Sequence, residues 1–209
     1  MPQSPISSSK SNFLVVGGGV VGLSLTWELA RRGQSVSLVS SAQEELRSAS
    51  WAGAGILPPP ATKNIDDPYD RLRSISHTLH HQWAGLLLES TGIDTGFRKC
   101  GGIYLATTRA ELATLVANEY WWQDHGIEFQ RLDLRTLRDL EPNLQGSRVD
   151  GLLSAWLLPD ECQLGNPRHL KALQKLAWLK VFNSWKRPFN VLTESALNEA
   201  ALTKPSTCG

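Results

Sequence analysis

Gly17, Gly19 and Gly22 stand in the spacing G-x-G-x-x-G inside "FLVVGGGVVGLSLTWELARRGQSVSLVSS", which runs from Phe13 to Ser41. The chemistry open to them is recognition of a dinucleotide's pyrophosphate by backbone. Gly17 permits a tight turn off a strand, Gly19 keeps side chains out of the path of the phosphates, and Gly22 lets a helix approach the sheet. Val20 and Val21 open that helix, whose unpaired N–H groups and positive dipole end suit an anion. Glycine-rich turns also arise for purely structural reasons, so the motif gains meaning only between a strand and a helix. Ser40 stands where a carboxylate would accept hydrogen bonds from both ribose hydroxyls. A serine makes one such bond, or two with Ser41 or a water helping. Losing the charge-assisted bond costs about 1–2 kcal/mol, roughly tenfold in affinity. No arginine occupies the position, so nothing indicates a preference for a 2′-phosphate.

A second stretch, "RSASWAGAGILPPP" from Arg47 to Pro60, strings small residues together. Such a run lets backbone lie against a flat ring and donate N–H groups to it; composition alone slightly favours a flexible small-residue loop. Other candidates are weaker. His77, His80 and His81 share one helix, with His77 and His81 four apart, but no carboxylate or cysteine partner is evident and a solvated face is expected. Tyr120, Trp121 and Trp122 read as a core or interface cluster, without the basic surround of a base-stacking platform. Asp160 and Glu161 follow Pro159 in a turn and are expected to be solvated. No Ser–His–Asp arrangement exists, no metal site is expected, and no residue is nominated as catalytic.

The elements that must position these groups follow from apolar spacing. Asn12–Val16 suits a buried parallel strand, Val20–Arg32 a helix ended by Gly33, and Ser35–Ser40 a second strand. Strand, helix and strand in so short a span imply a right-handed parallel crossover. A proline-rich loop, "LPPPATKNIDDP", leads to a helix over Tyr69–Thr91, with Leu72, Ile75, Leu79, Trp83 and Leu86 or Leu87 on one face. Further on come a strand at Gly101–Thr107, a helix closed by Gly126, a strand at "IEFQRLD" and a short helix stopped by Pro142. A strand pair in "VDGLLSAWLLPD" and a helix in "NPRHLKALQKLAWLK", with Pro167 in its first turn, complete the series.

With 209 residues the chain is long enough for one good core or parts of two. A net charge of +1 argues against a surface dominated by nucleic-acid or anionic-membrane binding. No apolar run approaches the roughly 20 residues that span a bilayer. The start, "MPQSPISSSKSN", is polar and reads as a disordered tail without the apolar core of a secretory signal. Cys100, Cys162 and Cys208 are odd in number and far apart in sequence, which suggests buried or incidental thiols and a reducing, cytoplasmic setting.

Taken together, "VVGGGVVGLSLTWELARRGQSVSLV" and "SASWAGAGILPP" resemble the glycine oxidase and D-amino acid oxidase group of flavoproteins. In that family a Ser/Thr- and Ala-rich run after the second strand cradles FAD, and Ser50, Trp51, Ala52, Gly53, Ala54, Gly55, Ile56 and Leu57 fit it, with isoleucine in place of methionine. "CGGIYLATTRAEL", "LDLRTLRDLEPNL" and "LLPDECQLGNPRHLKAL" resemble later segments in the same order, so the resemblance covers about Asn12 to Leu176. It implies FAD as cofactor, with Gly17, Gly19, Val20, Val21, Gly22, Ser40, Ser41, Ser50, Trp51, Ala54, Gly55, Ile56 and Leu57 around it. It also implies an α/β fold: a Rossmann-like FAD domain with a parallel sheet and an inserted, incomplete α+β substrate domain. The implied division is a tail at 1–11, the FAD domain's first part at 12–95, the substrate domain at 96–165, a return helix at 166–180 and an atypical tail at 181–209.

The implied activity is oxidation of a small amine or amino acid at its α-carbon, with hydrolysis of the imine and oxygen as the final acceptor. Glycine oxidases of the family can serve thiamine biosynthesis, which makes that pathway a context to expect. Two departures stand out. Ser40 replaces the family's usual Glu, and after "LKALQKLAWLK" the expected alternating strand does not show in "VFNSWKRPFNVLTESALNEAALTKPSTCG". The family's chain continues for about as long again, and that half is expected to hold the tyrosine and arginine that grip the substrate carboxylate. The expected product is therefore a truncated or frame-shifted enzyme, or an inactive flavin-binding remnant, with homo-oligomerisation left open.

Overall fold

The computed structural model describes residues 11–40, 49–144, 151–182 and 190–192. Residues 1–10 of the expected tail, Ser41, and most of 181–209 lie outside them. The chain divides into two compact units. The first comprises residues 1–54, 86–95 and 165–209; the second comprises 55–85 and 96–164. The stretch expected as one part, 12–95, is thus shared between both.

The first unit is built on a crossover. Strand β1 (Phe13–Val16) leads through the glycine turn into helix α1 (Val20–Arg31) and strand β2 (Val36–Val39), which pairs parallel to β1 with Phe13 opposite Val36. Helix α1 forms because Leu23, Thr26 and Trp27 recur at helical spacing and go into the core. It ends as expected, with Gly33 at φ +76°. All four residues of β2 are buried, whereas in β1 only Val15 is. Helix α2 (Ala49–Ala52) is a single turn that the small-residue run did not announce.

The return helix α6 (Asn166–Phe182) packs on α1 and α2, burying Leu170, Ala172, Leu173 and Leu176. After it comes a strand that the sequence reading of the tail did not contain. At Asn190–Leu192 the backbone pairs parallel to β2, giving a sheet in the order first strand, second strand, tail strand. Three residues are too few for a periodic signal, so their state is set by the open edge of β2.

Helix α3 (Pro68–Thr91) contributes to both units, residues 68–85 to the second and 86–91 to the first. Its expected apolar stripe is only partly used: Leu87 is fully buried, while Leu72, Ile75 and Leu79 are exposed. Periodicity identifies an apolar face but does not say whether anything covers it.

The second unit contains two antiparallel sheets. One joins β3 (Ile56–Leu57), β4 (Arg98–Lys99) and β8 (Cys162–Gln163), with β8 central. The other joins β5 (Gly102–Ala106), β6 (Gln130–Leu132) and β7 (Ser154–Leu158), with β7 central and Trp156 opposite both Tyr104 and Arg131. Where a strand pair was expected in "VDGLLSAWLLPD", β7 is the single strand among the described residues. Helix α4 (Arg109–Asp124) supplies Leu115 and Trp122 to a core with Ala106, Ile127, Trp156 and Leu158. Of the expected aromatic cluster, Trp122 is core and Trp121 stacks on His125, but Tyr120 is exposed. A capping box of Thr108 and Glu111 starts α4, and helix α5 (Leu134–Leu140) starts on Asp133, whose carboxylate accepts from the Thr136 N–H.

Candidate functional site

The glycine turn is fixed at both ends. The Gly17 N–H donates to the Val39 carbonyl at 2.8 Å, tying the exit of β1 to β2. Gly17 sits at φ +109°, where L-residues are strained, and a Cβ on Gly22 would run into the Gly17 carbonyl oxygen while lying 3.5 Å from Val15 Cγ1. The close approach of helix to strand read from the motif is therefore present. Gly19 is the N-cap of α1 and brings no side-chain cap, so the first amides of the helix need partners from elsewhere.

One partner comes from thirty residues away. The Val20 N–H donates to Ser50 Oγ at 3.1 Å. Helix α2 holds Ser50 there, and α6 holds α2: a side chain on Gly53 would collide with the Asn166 amide, and the Lys171 ammonium lies 5.7 Å over the Trp51 ring. Asn166 and Lys171 were not singled out in the sequence, because their role is to brace a neighbour. At the other end of the turn, a Cβ on Gly18 would overlap the Ser40 hydroxyl and lie 2.8 Å from its Cβ. The end of β2 thus abuts the glycine turn, as a ribose-contacting position requires.

These features fit the pyrophosphate and ribose of a dinucleotide. Gly17, Gly19 and Gly22 leave a path without side chains, Val20 and Val21 present the positive end of α1, and Ser50 adds a hydroxyl that can accept from the helix and donate to an anion. Ser40 offers one hydroxyl where two ribose bonds are normally accepted. Ala54 closes the small-residue run within the first unit. Gly55, Ile56 and Leu57 belong to the second unit, where the Gly55 carbonyl accepts from the Leu164 N–H at 2.9 Å and Ile56 and Leu57 pair with Gln163 and Cys162. The Ile56 side chain is exposed.

Elsewhere in the second unit, two expectations are corrected. Glu161 is buried rather than solvated, and its carboxylate accepts the Tyr104 hydroxyl at 2.5 Å; burial, together with that bond, holds the phenol above its ordinary range. The reason is register: Gly102 on β5 has no side chain where the Glu161 carboxylate lies. His77 and His80 are half-buried rather than solvated, lining a cavity of about 230 Å³ with Leu57, Pro58, Leu72 and Arg73. Burial holds both imidazoles below their ordinary value, and at His77 the adjacent Asp160 opposes the shift. His81 is exposed, edge-on to Phe97. Among the described residues no group of three or more His, Cys, Asp or Glu could hold a metal ion. No helix among them is long and apolar enough to cross a membrane.

Comparison with known proteins bears on this arrangement. Residues 12–178 match the family described as DAO, FAD dependent oxidoreductase. The glycine oxidase of Geobacillus kaustophilus is 32% identical over 159 residues, which are 76% of this chain and 41% of that protein. The bifunctional protein ThiO/ThiG of Synechocystis sp. is 28% identical over 167 residues, 80% of this chain and 23% of that protein. A crystal structure of the Geobacillus kaustophilus glycine oxidase is similar with a TM-score of 0.73 at 28% identity, covering 89% of this chain and 47% of the other. The chain spans less than half the length of each of these proteins.

Proposed function

Since the chain belongs to the FAD dependent oxidoreductase family, we propose that it holds FAD and forms the nucleotide-binding part of an enzyme that oxidises a small amine or amino acid. The observation that carries this reading is the bond from the Val20 N–H to Ser50 Oγ, which joins the glycine turn to the small-residue run that the family resemblance assigns to FAD. Gly17, Gly19 and Gly22 give the phosphates room, the Val20 and Val21 end of α1 offsets their charge, Ser50 fixes them in register, and Ser40 contacts the ribose. Trp51 and Ala54 complete the wall that α6 braces. When bound, FAD supplies the electron-acceptor chemistry, and the protein contributes position and exclusion of water.

The substrate class is a small amine or amino acid, a reading supported by the family resemblance and by a relative named glycine oxidase, with oxygen as the acceptor. A cytoplasmic setting and a place in thiamine biosynthesis accompany that reading. The division into a first part of the FAD domain at 12–95, a substrate domain over 96–165 and a return helix at 166–180 is part of the proposal. A second reading is a flavin-binding polypeptide inactive by itself; the match covers 47% of the solved relative. The groups that clamp a substrate carboxylate are expected in the other half, and loose positioning alone costs about hundredfold in rate.

The test has two arms. The purified chain is denatured and the released chromophore identified; FAD is expected, and NAD in its place overturns the reading. The FAD-loaded chain is then assayed for peroxide with glycine, sarcosine and D-alanine. Turnover far below about 1 per second, an ordinary enzyme rate, is expected. A rate near that value means that this chain grips substrate unaided and overturns the second reading.

A further inference from the structure

On the reading that the chain holds FAD, we propose that Lys171 is a positioning residue for the dinucleotide: its ammonium holds the Trp51 ring, and through helix α2 keeps Ser50 on the first amide of α1. The bond from the Val20 N–H to Ser50 Oγ depends on where α2 stands, and α2 has four residues and buries none of them. A helix of that length does not hold itself, since even about 12 residues make an isolated helix only marginal in water. Whatever fixes Ser50 must therefore come from outside α2.

Helix α6 is the firm neighbour. It lies in the same unit as α2, buries Leu170, Ala172, Leu173 and Leu176, and is tied to the end of α3 by the Lys175 ammonium, which donates to the Thr91 carbonyl at 2.7 Å. Asn166 fits against Gly53, where a Cβ would collide with its amide nitrogen, so that contact limits how near α2 can come. Lys171 supplies the attraction. Its ammonium lies 5.7 Å from the centroid of the Trp51 ring, within reach of the ring's negative face.

Charge rather than bulk is what Lys171 brings. The residue is exposed, flanked by buried Leu170 and Ala172, so its side chain is no part of the core. Trp51 follows Ser50 within the single turn of α2, so a shift of the indole carries the hydroxyl with it. Ser50 Oγ is also the atom that a Cβ on Gly19 would meet, at 3.1 Å, which leaves little play at the glycine turn. If the ring loosens, Ser50 leaves the Val20 N–H, and with it goes the hydroxyl that can donate to an anion at the helix start. An exposed cation–π contact is strong enough to change such an equilibrium about two- to fivefold.

The first measurement is amide hydrogen exchange in the full chain without FAD. Lys171→Met keeps a stem of similar length without the charge, and is expected to speed exchange at Val20 about two- to fivefold. Leu23, whose N–H donates to the Gly19 carbonyl at 3.0 Å, is expected to exchange as before, and Lys171→Arg to restore the original rate at Val20. The second is calorimetric titration with FAD. Lys171→Met is expected to weaken binding by a similar factor, Lys171→Arg to leave it unchanged, and Lys171→Met to have no further effect once Ser50→Ala is present. Losses that add in the Ser50→Ala background would mean that Lys171 acts without Ser50, and would overturn the proposal. FAD affinity and Val20 exchange both indifferent to Lys171→Met overturn it too, and leave the FAD reading standing. A chain that binds no FAD, while Val20 still follows Lys171, overturns that reading and leaves the brace from α6 in place.

Discussion

In the antiparallel sheet of the second unit, Trp156 on β7 is fully buried among α4, β5 and β6, whereas in the parallel sheet of the first unit Val16 on β1 shows three-quarters of its surface. Both strands are apolar, so hydrophobicity does not separate them. Connectivity does. Antiparallel strands need only short links, and β5, α4, β6 and β7 close a core from residues within one stretch of chain. A parallel sheet needs crossovers and strands distant in sequence, so its completeness depends on segments far from β1. The same composition is thus a finished core in one place and an open surface in the other.

The widest gap between the two is expected in stability. Trp156→Ala removes a fully buried indole and should cost about 3–5 kcal/mol, while Leu14→Ala should change stability by no more than about 0.5 kcal/mol. Denaturant unfolding of both variants measures this. Comparable losses would mean that β1 is as enclosed as β7, and the comparison breaks.

Next comes the polar brace of the antiparallel sheet. Glu119 on α4 accepts from Trp156 Nε1 at 2.7 Å and from the Arg131 guanidinium at 2.7 and 2.6 Å, and the guanidinium lies 5.2 Å over the Trp156 ring. The Arg131 hydrogen bond is the main reason that the Glu119 carboxyl stays below its usual range. Glu119→Ala should cost about 1–3 kcal/mol, since it leaves the indole N–H without its acceptor. Glu119→Gln keeps an acceptor and should recover part of the loss in the same unfolding measurement.

In the parallel sheet the matching test is Ser40→Glu, which should tighten FAD by about 1 kcal/mol by restoring a charge-assisted ribose bond. An unchanged or weaker affinity in calorimetric titration would mean that the ribose is held elsewhere, or that the contact with Gly18 leaves no room for the longer side chain.

The smallest effect is expected from acid. The Glu111 carboxyl accepts from the Thr107 N–H and hydroxyl and from the Thr108 N–H, and these bonds lower its pKa from 4.5 to about 2. A lowered folded-state pKa means that this stabilisation is whole above 4.5 and is lost as pH falls toward 2. Glu111→Gln should flatten that part of the stability profile of the second unit. An identical slope in both proteins would assign it to other carboxylates.

How much of this was legible in the sequence depends on the range of each interaction. The run Phe13–Val39 declared itself, because apolar spacing, glycine positions and the Gly33 stop are local. Helix α4 did so too, closed by Gly126. The burial of Glu161 was not legible, since it depends on Gly102 and Tyr104 lying across a sheet. Nor was the tail strand at 190–192, whose state comes from pairing with β2. The exposure of Leu72, Ile75 and Leu79 escaped for the converse reason: a stripe in the sequence records what can be covered, not what is. At the candidate site the glycines were readable one by one. The link from Val20 to Ser50 spans thirty residues and was not legible in the sequence, where Ser50 entered only through family resemblance.

That link is what a single measurement can test most directly. FAD is titrated calorimetrically into the chain and into its Gly19→Val and Ser50→Ala variants, with NAD as the alternative ligand. Gly19→Val should abolish binding, because a branched side chain fills the phosphate path. Ser50→Ala should weaken it by about 0.5–1.5 kcal/mol, the net worth of one hydrogen bond, and NAD should give no heat. FAD affinity indifferent to both variants, or NAD binding in its place, would contradict a single site made from the glycine turn and Ser50.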